Sequence, residues 1–206
     1  MQDTDPVLLD VVLHGREERN LEYKGSSAGE SYAWGTDSVN SGIARTAMAM
    51  ANIGGGSIVI GVDEVSPGVW EPNGVSPKVA SSYRQDDVQV YVNGRADPLV
   101  ELAIRHVDWE GRRFVVTQIN GFTELPVVCT KNAGNLKEAA VYTRPYAKHE
   151  TAEIRTQSEM REILDRAIEV GVRKRLQPML ESLRDTLGTW PYASDDARFD
   201  AQRGSL

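Results

Sequence analysis

Residues 41–64 read SGIARTAMAMANIGGGSIVIGVDE: a helix, a turn and a strand, in that order. Val39, Ile43, Ala47 and Met50 recur at three- and four-residue spacing and line one helical face. Most positions between them are Ala, Ser or Thr, so a neighbouring element can approach the backbone closely. Asn52 and Gly54–Gly56 end the helix, because Gly and Asn accept the left-handed conformation of a C-cap. Ser57–Val62 (SIVIGV) is short, β-branched and apolar on consecutive residues, which predicts a strand covered on both faces. Asp63 and Glu64 are expected at its exposed end.

The three glycines invite comparison with a phosphate-binding loop. Such loops run strand, glycines, helix, so that N–H groups and the positive end of the helix dipole meet the anion. Here the glycines follow a helix and precede a strand, and no Gly-Lys-Ser/Thr completes the motif. A structural turn is expected, and no nucleotide cofactor.

Towards the N-terminus, Asp5-Pro6 opens a short helix with Val7, Leu8, Val11 and Val12 on one face, stopped by Gly15. Residues 20–24 alternate, Leu21 and Tyr23 against Glu22 and Lys24, as in a half-buried strand. Gly25–Asp37 is a Gly- and Ser-rich loop whose Tyr32 and Trp34 suggest a partly ordered flap. Beyond the central unit, Ser66–Asn73 reads as a hairpin arm and Gln85–Asn93 as an element of open type. Leu99–His106 and Phe114–Ile119 pair across the turn at Trp109–Arg112. Pro126–Thr130 and Ala139–Thr143 flank a polar loop as a further hairpin.

From Thr156 the texture changes. Thr156-Gln-Ser-Glu159 has capping-box spacing. Met160, Ile163, Leu164, Ala167, Ile168, Val172 and Leu176 then form an apolar stripe at helical spacing. Pro178 should kink or split this helix, which continues through Met179, Leu180, Leu183 and Leu187. The expected organisation is a domain over 1–155, a helical extension over 156–188 and a disordered tail over 189–206. The stripe calls for a partner, most simply a second copy, so a homodimer through the 156–187 helix is expected.

Composition narrows the function classes. The 206 residues are 40% hydrophobic and 26% charged, as in an ordinary globular chain. No apolar run approaches the length of a membrane span, so no membrane partner is expected. The acidic start lacks the order of a secretory signal. The lone Cys129, between apolar neighbours, is expected to be a buried structural thiol in a reducing compartment; together these favour the cytoplasm. A formal charge of −7 argues against nonspecific adhesion to nucleic acid, so any such binding must come from a local basic patch. No serine sits in a nucleophile elbow, and the three histidines show no metal-ligand spacing.

Glu17-x4-Glu22-Tyr-Lys24, then AMANIGGGSIVIGVDE, then WEGRRFVVTQI, then VYTRPYAKHETA together resemble the Schlafen AlbA-type domain, over roughly Arg16–Ala152. The resemblance implies an α+β fold, a mainly antiparallel sheet with flanking helices. It also implies nucleic-acid binding and, in some members, metal-dependent RNA cleavage by a carboxylate cluster. The matching acids are Glu17, Glu22 and either Asp63 or Glu64. Lys24 matches the family's strand lysine, and Arg144 the arginine of its late strand. After Arg144 this chain departs from the pattern, with Pro145-Tyr146-Ala147-Lys148-His149 in place of glycine and small residues.

If the strands carrying Glu22 and Asp63 are neighbours, Glu17, Glu22 and Asp63 could hold Mg2+ or Mn2+, which prefer oxygen ligands and leave room for phosphate. The bland alternative leaves these acids on a solvated helix end and a surface turn. Lys24, Arg112, Arg113, Lys131, Lys137, Arg144, Lys148 and His149 are candidate phosphate contacts, with Tyr142 and Tyr146 as stacking surfaces. Arg173-Lys-Arg175 reads as a solvated helix face. The leading expectation is a nucleic-acid-binding regulator or defence-type factor. A metal-dependent endoribonuclease and a helix-mediated protein-interaction module remain as alternatives.

Overall fold

In a computed structural model that describes residues 5–25, 32–146 and 150–188, the chain runs α1 (Pro6–Leu13), β1 (Leu21–Lys24), α2 (Asp37–Ile53), β2 (Gly55–Ile60), β3 (Val62–Ser66), β4 (Val69–Pro72), α3 (Pro77–Ser82), α4 (Gln85–Asn93), β5 (Ala96–Asp97), β6 (Leu102–Trp109), β7 (Arg112–Asn120), β8 (Val128–Cys129), β9 (Tyr142–Thr143), β10 (Ala152–Glu153) and α5 (Gln157–Gly188). The architecture is α+β with mainly antiparallel pairing. The main sheet has the order β1-β2-β7-β6, with only β1 and β2 parallel. That parallel pair needs a crossover, and α2 supplies it. Among the described residues there are also three two-stranded pairs, β3–β4, β5–β8 and β9–β10.

Why α2 and β2 form is local. The Thr36 side chain accepts from Val39 N at the start of α2, and Gly54 closes it at φ 113°. Val39, Ile43, Ala47 and Met50 are buried, as their spacing predicts. Ile58, Val59 and Ile60 are inaccessible, because α2 covers one face of the sheet while α1 and Trp70 join the apolar cluster around Val59. Gly61, at φ 113°, breaks the run after Ile60, so Val62 belongs to β3 and not to β2. Asp63 is therefore not at an exposed strand end: only 3% of it is accessible.

Both outer strands of the main sheet are met by side chains. On β1, Leu21 and Glu18 exchange backbone hydrogen bonds, and Tyr23 N–H donates to Glu17 Oε1 at 2.9 Å. On β6, Gln85 Oε1 accepts from Ile104 N–H at 2.7 Å, and its Nε2 donates to Leu102 O at 2.9 Å.

Several expectations change. Gln85–Asn93 is a helix, with Val88 and Val92 buried and Val90 exposed. The second strand of the 99–119 hairpin pairs as expected, but its partner starts at Leu102 and runs on to Trp109. The hairpin expected across the 131–137 loop is only partial. Cys129 exchanges backbone bonds with Ala139 and Ala140, while β8 pairs with β5 and β9 with β10. Cys129 is buried and unbridged. In the expected flap, Trp34 packs against Tyr83 and Tyr91, and Tyr83 donates to Tyr32 O; residues 26–31 lie outside the described residues.

The chain divides into two compact units, Met1–Ala167 and Ile168–Leu206. In the first, Thr156 and Glu159 form the capping box that starts α5. Ile163 is buried, and the Arg166 guanidinium sits so close to Gly54 that a Cβ there would collide with it. The described residues of the second unit are the rest of α5, unbroken at Pro178, with Ile168, Val172, Leu176, Met179, Leu180 and Leu183 exposed along it. The tail expected beyond residue 188 lies outside the described residues. No helix among the described residues is long and apolar enough to cross a membrane.

Candidate functional site

β1 brings Glu22 and Lys24 beside β2, and α2 lays Thr46 over them. The polar side of β1 is consequently not solvated. Glu22 is 8% exposed and Arg144, just after β9, is 0% exposed. Glu22 Oε2 pairs with Arg144 Nη1 and accepts from Thr46 Oγ1 at 3.4 Å, while Oε1 pairs with Lys24 Nζ. Arg144 Nη2 also donates to Glu18 O at 3.2 Å. One buried carboxylate thus faces two cations, and both its oxygens are engaged.

Glu17 stands close to this cluster, with its carboxylate on Tyr23 N–H. Burial raises its pKa above the usual carboxylate range, and the negative charge of Glu22 adds to the rise. The Tyr23 N–H, Arg144 and Lys24 pull the other way. Asp63 accepts from Asn73 Nδ2 at 2.9 Å and lies against the Gly25 backbone, where a Cβ would overlap its Oδ1. Glu64 is exposed and accepts from Gly68 N–H. β1 pairs with β2, whereas Asp63 lies on β3, and among the described residues no three Asp, Glu, His or Cys side chains form a group that could hold a metal ion. Arg144 and Lys24 supply at Glu22 the positive charge that Mg2+ or Mn2+ would bring. As arranged, these residues do not fit a divalent cation.

The candidate phosphate contacts separate into buried and exposed groups. Arg144 is interior, and a guanidinium with no accessible surface cannot touch a phosphate. Tyr142 is buried too, its hydroxyl accepting from Lys137 N–H at 2.7 Å. Lys24 is half-buried on Glu22. Arg112 is exposed and donates to Pro72 O; Arg113 is exposed and paired to Asp108 at 2.7 Å, which holds that carboxyl below its usual range. Lys131 is exposed. Lys148 and His149 lie outside the described residues.

Tyr146 is 76% exposed, and the Arg19 guanidinium lies 3.8 Å from its ring centroid. Arg19 also donates to Arg144 O and pairs with Glu162 of α5, so it is held in place over the ring. Sequence reasoning missed Arg19, which carries no motif and sits 127 positions from the tyrosine it backs (146 − 19). It missed Arg45 and Arg155 as well, which reach one cleft from different elements.

The Schlafen, AlbA_2 family matches residues 17–163. No curated protein matches the chain. Among solved structures, the DIP2311 protein of Corynebacterium diphtheriae aligns at TM-score 0.45 and 15% identity, covering 71% of this chain and 25% of that one. The N-terminal domain of a RecG-related protein of Nitrosomonas europaea aligns at TM-score 0.43 and 20% identity, covering 65% of this chain and 85% of that one. This chain thus spans about a quarter of the first of these. With the Glu17-x4-Glu22 motif leading into β1, the α2–glycine–β2 unit and the late arginine all inside the matched residues, the chain belongs to the Schlafen, AlbA_2 family.

Proposed function

We propose that this chain is a noncatalytic nucleic-acid-binding domain that takes unpaired bases on Tyr146. The observation that carries the reading is the exposed Tyr146 ring backed by the Arg19 guanidinium. A fixed cation behind an exposed aromatic ring is a stacking platform that accepts any base, because every base has a π face. Family membership supports the substrate class, and exposed Arg112 and Lys131 supply further positive charge. The test is fluorescence anisotropy with labelled single- and double-stranded RNA and DNA over a range of salt. Single strands should bind tighter than duplexes, and Tyr146→Ala should cost about 1–3 kcal/mol of that affinity. Absence of salt-sensitive binding to any of the four would end this reading. Mn2+-stimulated cleavage that Glu22→Gln abolishes would replace it with a nuclease.

The apolar stripe of the second unit favours self-association as part of the same reading. Ile168 and Met179 stand eleven positions apart, as do Val172 and Leu183 (179 − 168; 183 − 172), and all four are exposed. An eleven-residue apolar repeat is one by which helices share a continuous seam. A second copy carries the same stripe and buries it without any new partner.

A further inference from the structure

A cleft of about 500 Å³ is lined by Arg45 of α2, Lys137 of the preceding loop, Tyr142 of β9, Glu153 of β10, and Arg155 and Thr156 ahead of α5. Its three cations come from three separate parts of the chain, so their meeting is a product of the fold. Lys137 Nζ lies 3.0 Å from Glu153 Oε2. Arg45 and Arg155 act on the same carboxylate: Lys137 first, then these two, hold its pKa below the usual range. Glu159, the other acid on the wall, is engaged, accepting from Arg155 N–H at 2.9 Å and Thr156 N–H at 3.1 Å. Arg45 rests 5.2 Å from the Tyr142 ring centroid; its Nε is buried and bonds to nothing, and it enters no ion pair among the described residues. Three cations thus face Glu153, which is already paired with Lys137, so the cleft holds more positive than negative charge.

The group such a cleft selects is a doubly or singly charged oxyanion with several acceptors, which guanidinium donors match in geometry as well as charge. The cleft offers no exposed aromatic ring, since Tyr142 is buried, so it is not built to hold a base. The ring lies next door. An adjoining cleft of about 720 Å³ carries Tyr146 and shares Pro145, Thr156 and Glu159 with the first. We infer that Arg45, Lys137 and Arg155 hold one backbone phosphate of a single-stranded nucleic acid whose neighbouring base stacks on Tyr146. This inference rests on the proposed nucleic-acid binding, and it locates the strand: past Pro145, from the basic cleft to the aromatic platform. Phosphate contacts fix register without reading sequence, so the pair of clefts would grip a strand of any sequence.

The experiment compares full-length protein with Arg45→Gln, Arg155→Gln and the double variant, using labelled short single-stranded RNA and DNA, with inorganic phosphate and a nucleoside monophosphate as competitors. Arg84→Gln, on the exposed start of α4, is the control. Each cleft variant should bind about threefold to tenfold more weakly and lower the slope of log K against log salt by about 0.7. The double variant should bind more weakly than either single variant, with its slope lowered by no more than the one phosphate's share of about 0.7, and retain the circular dichroism spectrum of the parent. If Arg45→Gln perturbs folding through its packing on Tyr142, the exposed Arg155 still answers the question. Parent protein that binds while both variants match it in affinity and slope overturns the cleft assignment and leaves nucleic-acid binding standing. Parent protein that binds nothing overturns both. Inorganic phosphate that displaces the oligonucleotide as well as an equal concentration of strand phosphates would make this a free-anion site and overturn the polymer.

Discussion

Arg144 and Glu22 meet inside the domain, 122 positions apart in sequence, the arginine without accessible surface and the glutamate nearly so. A buried pair of this kind is strongly destabilising to break from one side, because the remaining charge is stranded away from water. Glu22→Ala or Arg144→Ala should each cost about 3–5 kcal/mol in urea unfolding. Glu22→Ala with Arg144→Ala should cost far less than the two single changes summed. Additive costs across this double-mutant cycle would mean that the pair is not coupled as its geometry requires.

Glu17 predicts a pH dependence. Its folded pKa is raised, chiefly by burial, above an unfolded value of about 4.3. The folded state therefore holds this proton more tightly than the unfolded chain does. The resulting stability is fully present below the unfolded pKa and is lost as pH rises through the folded one. Glu17→Gln keeps an oxygen for Tyr23 N–H and removes the titration. The variant should gain on the parent in Tm as pH climbs from about 4 towards neutrality. A Tm difference that is flat across that range would contradict the assignment.

Packing around the central strand predicts a contrast. Ile60 is inaccessible on β2, so Ile60→Ala should cost about 2–5 kcal/mol through lost burial and the cavity left behind. Val90, on the solvent side of α4, should tolerate Ala within about 0.5 kcal/mol. Equal costs, measured by thermal and chemical unfolding, would put α4 on the wrong face.

Self-association through α5 is tested by charge. Leu176→Glu and Met179→Glu place carboxylates on the exposed stripe. The parent should scatter light as a dimer at micromolar concentration and both variants as a single chain. A parent of one-chain mass would remove the second copy from the proposal.

What the sequence made legible was local. The apolar run at Ile58–Ile60, the glycine after α2 and the Phe114–Ile119 strand each declare themselves within a few residues, and each is where its pattern puts it. The valines at 88, 90 and 92 fit strand alternation as well as a helical i, i+4 pair, so only the packing of Val88 and Val92 chooses the helix. Strands of two residues, such as β5 and β8, are too short to carry any period. The candidate site was half legible. The motif found Glu17, Glu22, Lys24 and Arg144, but chain positions alone could not reveal that Arg144 neutralises Glu22 from inside. Nor could they bring Arg19 to Tyr146, or Arg45 and Arg155 to one cleft, since both meetings are made by the fold.

Glu17, bonded to β1, and Gln85 of α4, bonded to β6, have a consequence for how copies of this protein can and cannot meet. A strand at the margin of a sheet is ordinarily a template on which another chain can grow, the first step towards fibrils and edge-paired aggregates. Here the carboxylate of Glu17 occupies the Tyr23 amide, and the carboxamide of Gln85 imitates a missing strand by taking Ile104 N–H and giving to Leu102 O. Both margins are sealed at those points by single side chains. At those points another copy of the chain finds no free backbone group with which to extend the sheet.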